Sequence, residues 1–161
     1  MTFPDATRTE REQEETILLA LTVLGEAEGE TDMGKDAVAH VIKNRMRRKR
    51  ATVGKVVLAP WQFSCWNLNE PRREFLLDTI RKGAANVPLR VWSACWRAAQ
   101  GALDGLTKDP TDGATHYCTN ALWGVDDEHR SRPRWHSRQE ILAGRTKETA
   151  QIGGHTFGVA A

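Results

Sequence analysis

The sequence predicts a mainly helical α+β fold with one small β-hairpin, and three observations carry that expectation. Several segments in the first two thirds of the chain repeat their apolar residues at helical intervals. Past Asp104 that spacing fades, and turn-forming residues such as Asp109-Pro110-Thr111-Asp112-Gly113 take over. Near the C-terminus, Gly153-Gly154 separates two short β-prone stretches, as a tight hairpin requires.

Residues 1–9 read as a loose polar arm. Glu10 to Leu24 follows as a helix, with a charged first turn and then Ile17, Leu18, Leu21, Val23 and Leu24. The run Gly25-Glu26-Ala27-Glu28-Gly29-Glu30 is expected to end or interrupt it. Asp32 is placed to N-cap a second helix from Met33 to about Arg48. Its stripe is Ala37, Val38, Val41, Ile42, Arg45 and Met46, apolar at every place but Arg45. Thr52 to Leu58 is a short helix or turn stopped by Pro60, and Trp61 to Asn69 is irregular and aromatic. Pro71 suits the first position of a helix running to Arg81, with Gly83 ending it. Pro88 to Leu103 is a further helix that buries Val91, Trp92, Cys95, Trp96 and Ala99. Beyond it come a short extended piece over 114–118, a polar loop over 126–133, and a hairpin with strands over 149–152 and 155–159.

A chain of 161 residues fits one domain, 1–161, better than two. The net charge of +2 does not point to nucleic acid. The basic run of Arg45, Arg47, Arg48, Lys49 and Arg50 is either a solvated helix C-terminus or a contact for an anionic partner. Cys65, Cys95 and Cys118 are three in number and lack a C-x-x-C pair, which argues against a disulfide framework and points to a reducing compartment. The N-terminus has no apolar signal core, and no stretch reaches the roughly 18 apolar residues of a membrane span. No metal, cofactor or stable membrane insertion is expected, and the chain is read as a monomer.

Three constellations could carry chemistry. The first is the acidic run 25–30. If the helix continued, Glu26 and Glu30 would share one face. Carboxylates crowded in this way keep a proton to higher pH, as a general acid for glycosidic cleavage must. The bland alternative is an acidic, solvated helix end. The second is Trp61-Gln62-Phe63-Ser64-Cys65-Trp66-Asn67, whose rings and amides suit a sugar groove or else seal the core. The third contains His116 and Tyr117, the only tyrosine, in a segment that either orients substrate or is structural. Cysteine with histidine also leaves a thiol peptidase open, although no spacing demands one, and a zinc amidase lacks any H-E-x-x-H pair.

Read together, these residues resemble a known family. Gly25-Glu26-Ala27-x-Gly29-Glu30 and Ala37-Val38-Ala39-x-Val41-Ile42-x-Asn44-Arg45 are similar to the opening of the spore-cortex-lytic, SleB-like cell wall hydrolases. The likeness continues at Thr52-Val53 to Val57 and at Gln62-Phe63-Ser64. It resumes at Asp109-Pro110-Thr111-x-Gly113-Ala114-Thr115-His116-Tyr117, then at Trp135 and Ile152-Gly153-x-His155-x-Phe157. The blocks fall in the family's order over roughly residues 17–157.

The resemblance implies a lysozyme-like catalytic fold acting on peptidoglycan between N-acetylmuramic acid and N-acetylglucosamine, as a lytic transglycosylase or muramidase. It implies Glu26 as the catalytic acid and Glu30 as a supporting carboxylate. Gln62, Phe63, Ser64, Trp66, His116 and Tyr117 would then line the substrate groove. Glu28 stands where the family usually has Arg, Gly158 where it often has an aromatic, and Cys118-Thr119-Asn120 also departs. A compact catalytic domain without signal peptide or wall-binding repeats resembles a phage endolysin, made in the host cytoplasm and released to the wall by a holin. The alternatives are a wall peptidase or amidase, or a non-catalytic wall-binding module.

Overall fold

The computed structural model describes residues 9–161. The loose arm expected over 1–9 lies outside the described residues except for Thr9, which N-caps the first helix. The Thr9 side chain accepts from the Glu12 amide while Glu12 reaches back to the Thr9 amide, a full capping box. That helix, α1, spans Glu10–Ala27 and is followed by α2, Asp32–Lys49. Thr31 caps α2, and Asp32 is its first residue rather than its cap. Next come α3, Val53–Val57, a 3-10 turn at Ser64–Trp66, α4, Pro71–Arg81, and α5, Leu89–Leu103. After these lie β1, His116–Thr119, a 3-10 turn at Asn120–Leu122, α6, Arg138–Leu142, β2, Thr146–Ile152, and β3, His155–Ala160.

The second half of α1 is the centre of the main core. Leu19, Ala20, Val23 and Leu24 are fully buried there, against Val38 and Ile42 of α2 and Cys95, Ala98 and Ala99 of α5. A helix apolar on most of its circumference can only be an interior helix. Among the described residues, no helix is long and apolar enough to cross a membrane.

The expected hairpin exists, but it belongs to a three-stranded antiparallel sheet in the order β1-β3-β2. Gly153 turns it with φ +55. β3 takes β1 as its second partner, with Tyr117 opposite Phe157 and Thr119 opposite His155. One face of this sheet closes a second core on α2, made of Ala37, Val41, Ala114, Ile152 and Phe157. Tyr117 packs against both cores and so sits at the seam between the helices and the sheet.

Candidate active site

The glycine in the acidic run does not break α1, which continues through Gly25 and Glu26 to Ala27. Its role is close approach. A Cβ on Gly25 would meet Cys65 Cβ at 2.6 Å and Sγ at 2.7 Å. The bare backbone lets the 64–66 turn settle on the last turn of α1, and there the Cys65 amide donates to Glu26 Oε1 at 3.1 Å. From the sheet side, Tyr117 Oη donates to Glu26 Oε2 at 2.8 Å. Each oxygen of the half-buried Glu26 therefore has one neutral donor, and no ion pair engages it among the described residues.

Acidic residues at a helix C-terminus oppose the macrodipole, and two cations offset this. Arg72 donates to the Leu24 carbonyl at 2.8 Å and the Gly25 carbonyl at 3.3 Å, and it also pairs with the Glu28 carboxylate. Lys35 donates to the Glu28 carbonyl at 3.0 Å and to the Glu30 carbonyl. These bonds satisfy backbone groups that a helix end leaves open.

Glu30 departs from expectation. Because α1 stops at Ala27, Glu30 is off the helix and does not share a helical face with Glu26. Its Oε1 lies 3.3 Å from His155 Nδ1, and its Oε2 sits against the Gly153 turn. The His155 ring in turn meets Tyr117 edge-on at 5.2 Å between centroids. Glu30 thus ties the loop after α1 to the strand pair that carries Tyr117.

The other expected groove residues divide. Gln62 and Ser64 are exposed beside the Cys65 amide. Phe63 is only 2 % exposed and cannot stack on a sugar; its ring is core, with the Arg45 guanidinium over it at 5.0 Å. Trp66 is half-buried, and its indole donates to Thr22 Oγ1 at 3.0 Å, which fixes the turn to α1. The open ring of the loop is Trp61, 83 % exposed and held at φ +63. His116 faces away from Glu26. Side chains alternate along a strand, so next to an inward Tyr117 it points to the other face. There its ring lies 5.0 Å from Trp135, which meets Trp123 at 5.8 Å.

Two further positions belong to this geometry. The Cys65 amide is backbone, and residue type carries no signal for it. Arg45 belongs to the basic run, read as a solvated helix end or a contact for an anionic partner, and it is only 9 % exposed. Its place in the apolar stripe of α2 was the available signal.

The chain belongs to the cell wall hydrolase family. The family matches residues 29–158, a span that begins just past Glu26. The chain also resembles the catalytic domain of the germination-specific lytic transglycosylase SleB from Bacillus anthracis. That likeness has a TM-score of 0.56 and 22% identity, covering 96% of this chain and 98% of the other. The catalytic domain of the Bacillus cereus SleB protein aligns with a TM-score of 0.56 and 23% identity, over 94% and 98% of the two chains. None of the curated proteins compared matches this chain.

Within this cell wall hydrolase the thiols are held protonated. Burial, then the charge and hydrogen bond of Glu26, push the Cys65 thiol far up. Burial pushes Cys95 and Cys118 up to about 11. A nucleophilic cysteine needs the opposite shift. Burial also raises Tyr117 well above the usual phenol value, with Glu26 adding to it, so Tyr117 is a hydroxyl donor at Glu26 and not a phenolate. A cavity of about 660 Å³ lies beyond the acidic loop, lined by Glu28, Glu30, Arg90 and Arg97 among others, and Glu26 does not line it.

Proposed function

We propose that this protein cleaves peptidoglycan glycan strands between N-acetylmuramic acid and N-acetylglucosamine as a lytic transglycosylase, with Glu26 as its one acid–base group. The observation that carries the reading is the environment of Glu26: a half-buried carboxylate with one hydroxyl and one amide donor and, among the described residues, no ion pair. A residue serving as acid and then base needs donors that support its carboxylate once the proton has left. The name of the SleB relative, a lytic transglycosylase, agrees with this chemistry.

In the proposed course, protonated Glu26 donates to the glycosidic oxygen as the C1–O bond breaks, and the sugar ring takes on oxocarbenium character. The Tyr117 hydroxyl and the Cys65 amide then stabilise the carboxylate left behind. Glu26 next accepts the proton of the muramic acid C6 hydroxyl, whose oxygen closes on C1 to give a 1,6-anhydro end. Release of a reducing end by water would call for a second carboxylate opposite the first. Glu30 is a poor fit for that part, since its Oε1 lies 3.3 Å from His155 Nδ1 and it sits off α1, in the same short segment as Glu26 and not opposite it.

In this proposal the glycan runs past Glu26, with the exposed Gln62 and Ser64 as polar contacts and the exposed Trp61 indole as a stacking platform. Mass spectrometry of products from purified sacculi tests the reaction: 1,6-anhydro muropeptides are expected, while reducing ends or freed peptides alone would overturn it. The setting proposed is that of a phage endolysin. Expression in a host with and without a holin tests this, and lysis without the holin would count against it.

A further inference from the structure

Glu26 receives its two hydrogen bonds from segments far apart in sequence, the 62–66 loop and the 115–117 strand start. One side chain touches both. Arg45 Nε donates to the Thr115 carbonyl, two residues before Tyr117. Arg45 Nη1 donates to Gln62 Oε1 at 3.3 Å, and the guanidinium plane lies over Phe63, two residues before Cys65. Among the described residues no carboxylate pairs with Arg45, although it is buried.

A buried cation without an ion-pair partner is costly, and an apolar side chain of similar length would serve the core as well. Only a planar fork with several fixed donors can hold a carbonyl, an amide oxygen and a ring face at once. We propose that Arg45 is a positioning residue, a clamp that sets the Tyr117 hydroxyl and the Cys65 amide at their places around Glu26. Burial lowers the Arg45 pKa, and the nearby Glu26 carboxylate is among the influences that oppose the shift. This inference rests on Glu26 as the reacting acid.

The test compares wild type with Arg45→Met and Arg45→Lys, reading kcat and KM on soluble glycan strands and the Cys65 amide resonance by NMR. Misplacement of donors by about 1 Å can cost 10²-fold in rate. Arg45→Met should therefore lose about 10- to 100-fold in kcat, keep KM within about threefold, and move the Cys65 amide upfield as its bond to Glu26 loosens. Arg45→Lys keeps the charge but not the fork, and should recover only a minor part of kcat. Wild-type kcat in folded Arg45→Met, or full rescue by Lys, overturns the clamp. So does a loss of kcat with an unmoved Cys65 resonance. Should neither variant fold, Gln62→Ala removes one arm from the surface, and an unmoved Cys65 amide there is equally fatal. Glu26→Gln is the control. Full activity in that protein would overturn the acid assignment, while the Cys65 resonance would still report on the clamp itself.

Discussion

Tyr117 and His116 are neighbours on β1 with different surroundings. The inner face of the sheet carries Tyr117, His155 and Phe157 toward α2, and on this face Tyr117 reaches Glu26. The outer face carries His116 under Trp135 and Trp123. Both sides are rich in rings, but only the inner one meets a carboxylate at the end of α1. A strand can thus place a residue bonded to that carboxylate beside one that faces away from it, because its side chains alternate every residue.

The largest test of this division is Glu26→Gln. The change is nearly isosteric and removes the only proposed proton donor, so turnover of sacculi should fall by about 10²–10⁴-fold or more, with the melting temperature nearly kept. Near wild-type lysis by the folded variant would undo the inner face as the reacting one. Tyr117→Phe comes next. It deletes one hydrogen bond to a charged group while keeping the ring in both cores, so kcat should fall about 10- to 100-fold. If kcat is unchanged while stability drops, Tyr117 belongs to the core alone.

How far the sequence foresaw this arrangement depends on how local each cause is. The bounds of α4 were legible because Pro71 sets its first turn. The passage of α1 through Gly25 was not, since its reason is the contact with Cys65, 40 residues away. The hairpin was readable from Gly153-Gly154, but the choice of β1 as third strand is a non-local pairing. The five residues of α6 are too few to show a period. Glu26 was legible as a carboxylate in a distinctive motif. Its separation from Glu30 follows from α1 ending at Ala27, inside the run where the sequence places the helix end, though the run does not tell which residue is the last.

Glu30→Gln should have a smaller effect than either inner-face change. It weakens the contact with His155, whose ring meets Tyr117 edge-on, so its reach to Glu26 is indirect. Activity should fall by a few fold and stability by about 1 kcal/mol, read by denaturant unfolding. A loss as large as that of Glu26→Gln would make Glu30 a second reacting group and would revive the hydrolytic mechanism.

The smallest effect on turnover is expected from His116→Gln, the outer-face counterpart of Tyr117→Phe. His116 meets Trp135 and shares a hydrogen bond with Thr115 Oγ1 at 2.9 Å, and among the described residues it makes no bond to Glu26. Activity at neutral pH should stay within about twofold of wild type, since no reacting group is touched. Its mark should be on stability against pH instead. Burial, then the positive charges of Arg45, Arg48 and Lys49, lower the His116 pKa to about 4, against an ordinary value near 6.5. The unfolded chain therefore takes up the proton first as pH falls. The stability owed to neutral His116 is complete above about pH 6.5 and is lost progressively toward pH 4, about 1–2 kcal/mol after allowing for its partial exposure. Gln cannot titrate, so the variant should lose less stability across that window than wild type in urea melts. Identical pH slopes would show that His116 is not held neutral by burial. A collapse of turnover at neutral pH would return it to the groove and erase the distinction between the two faces.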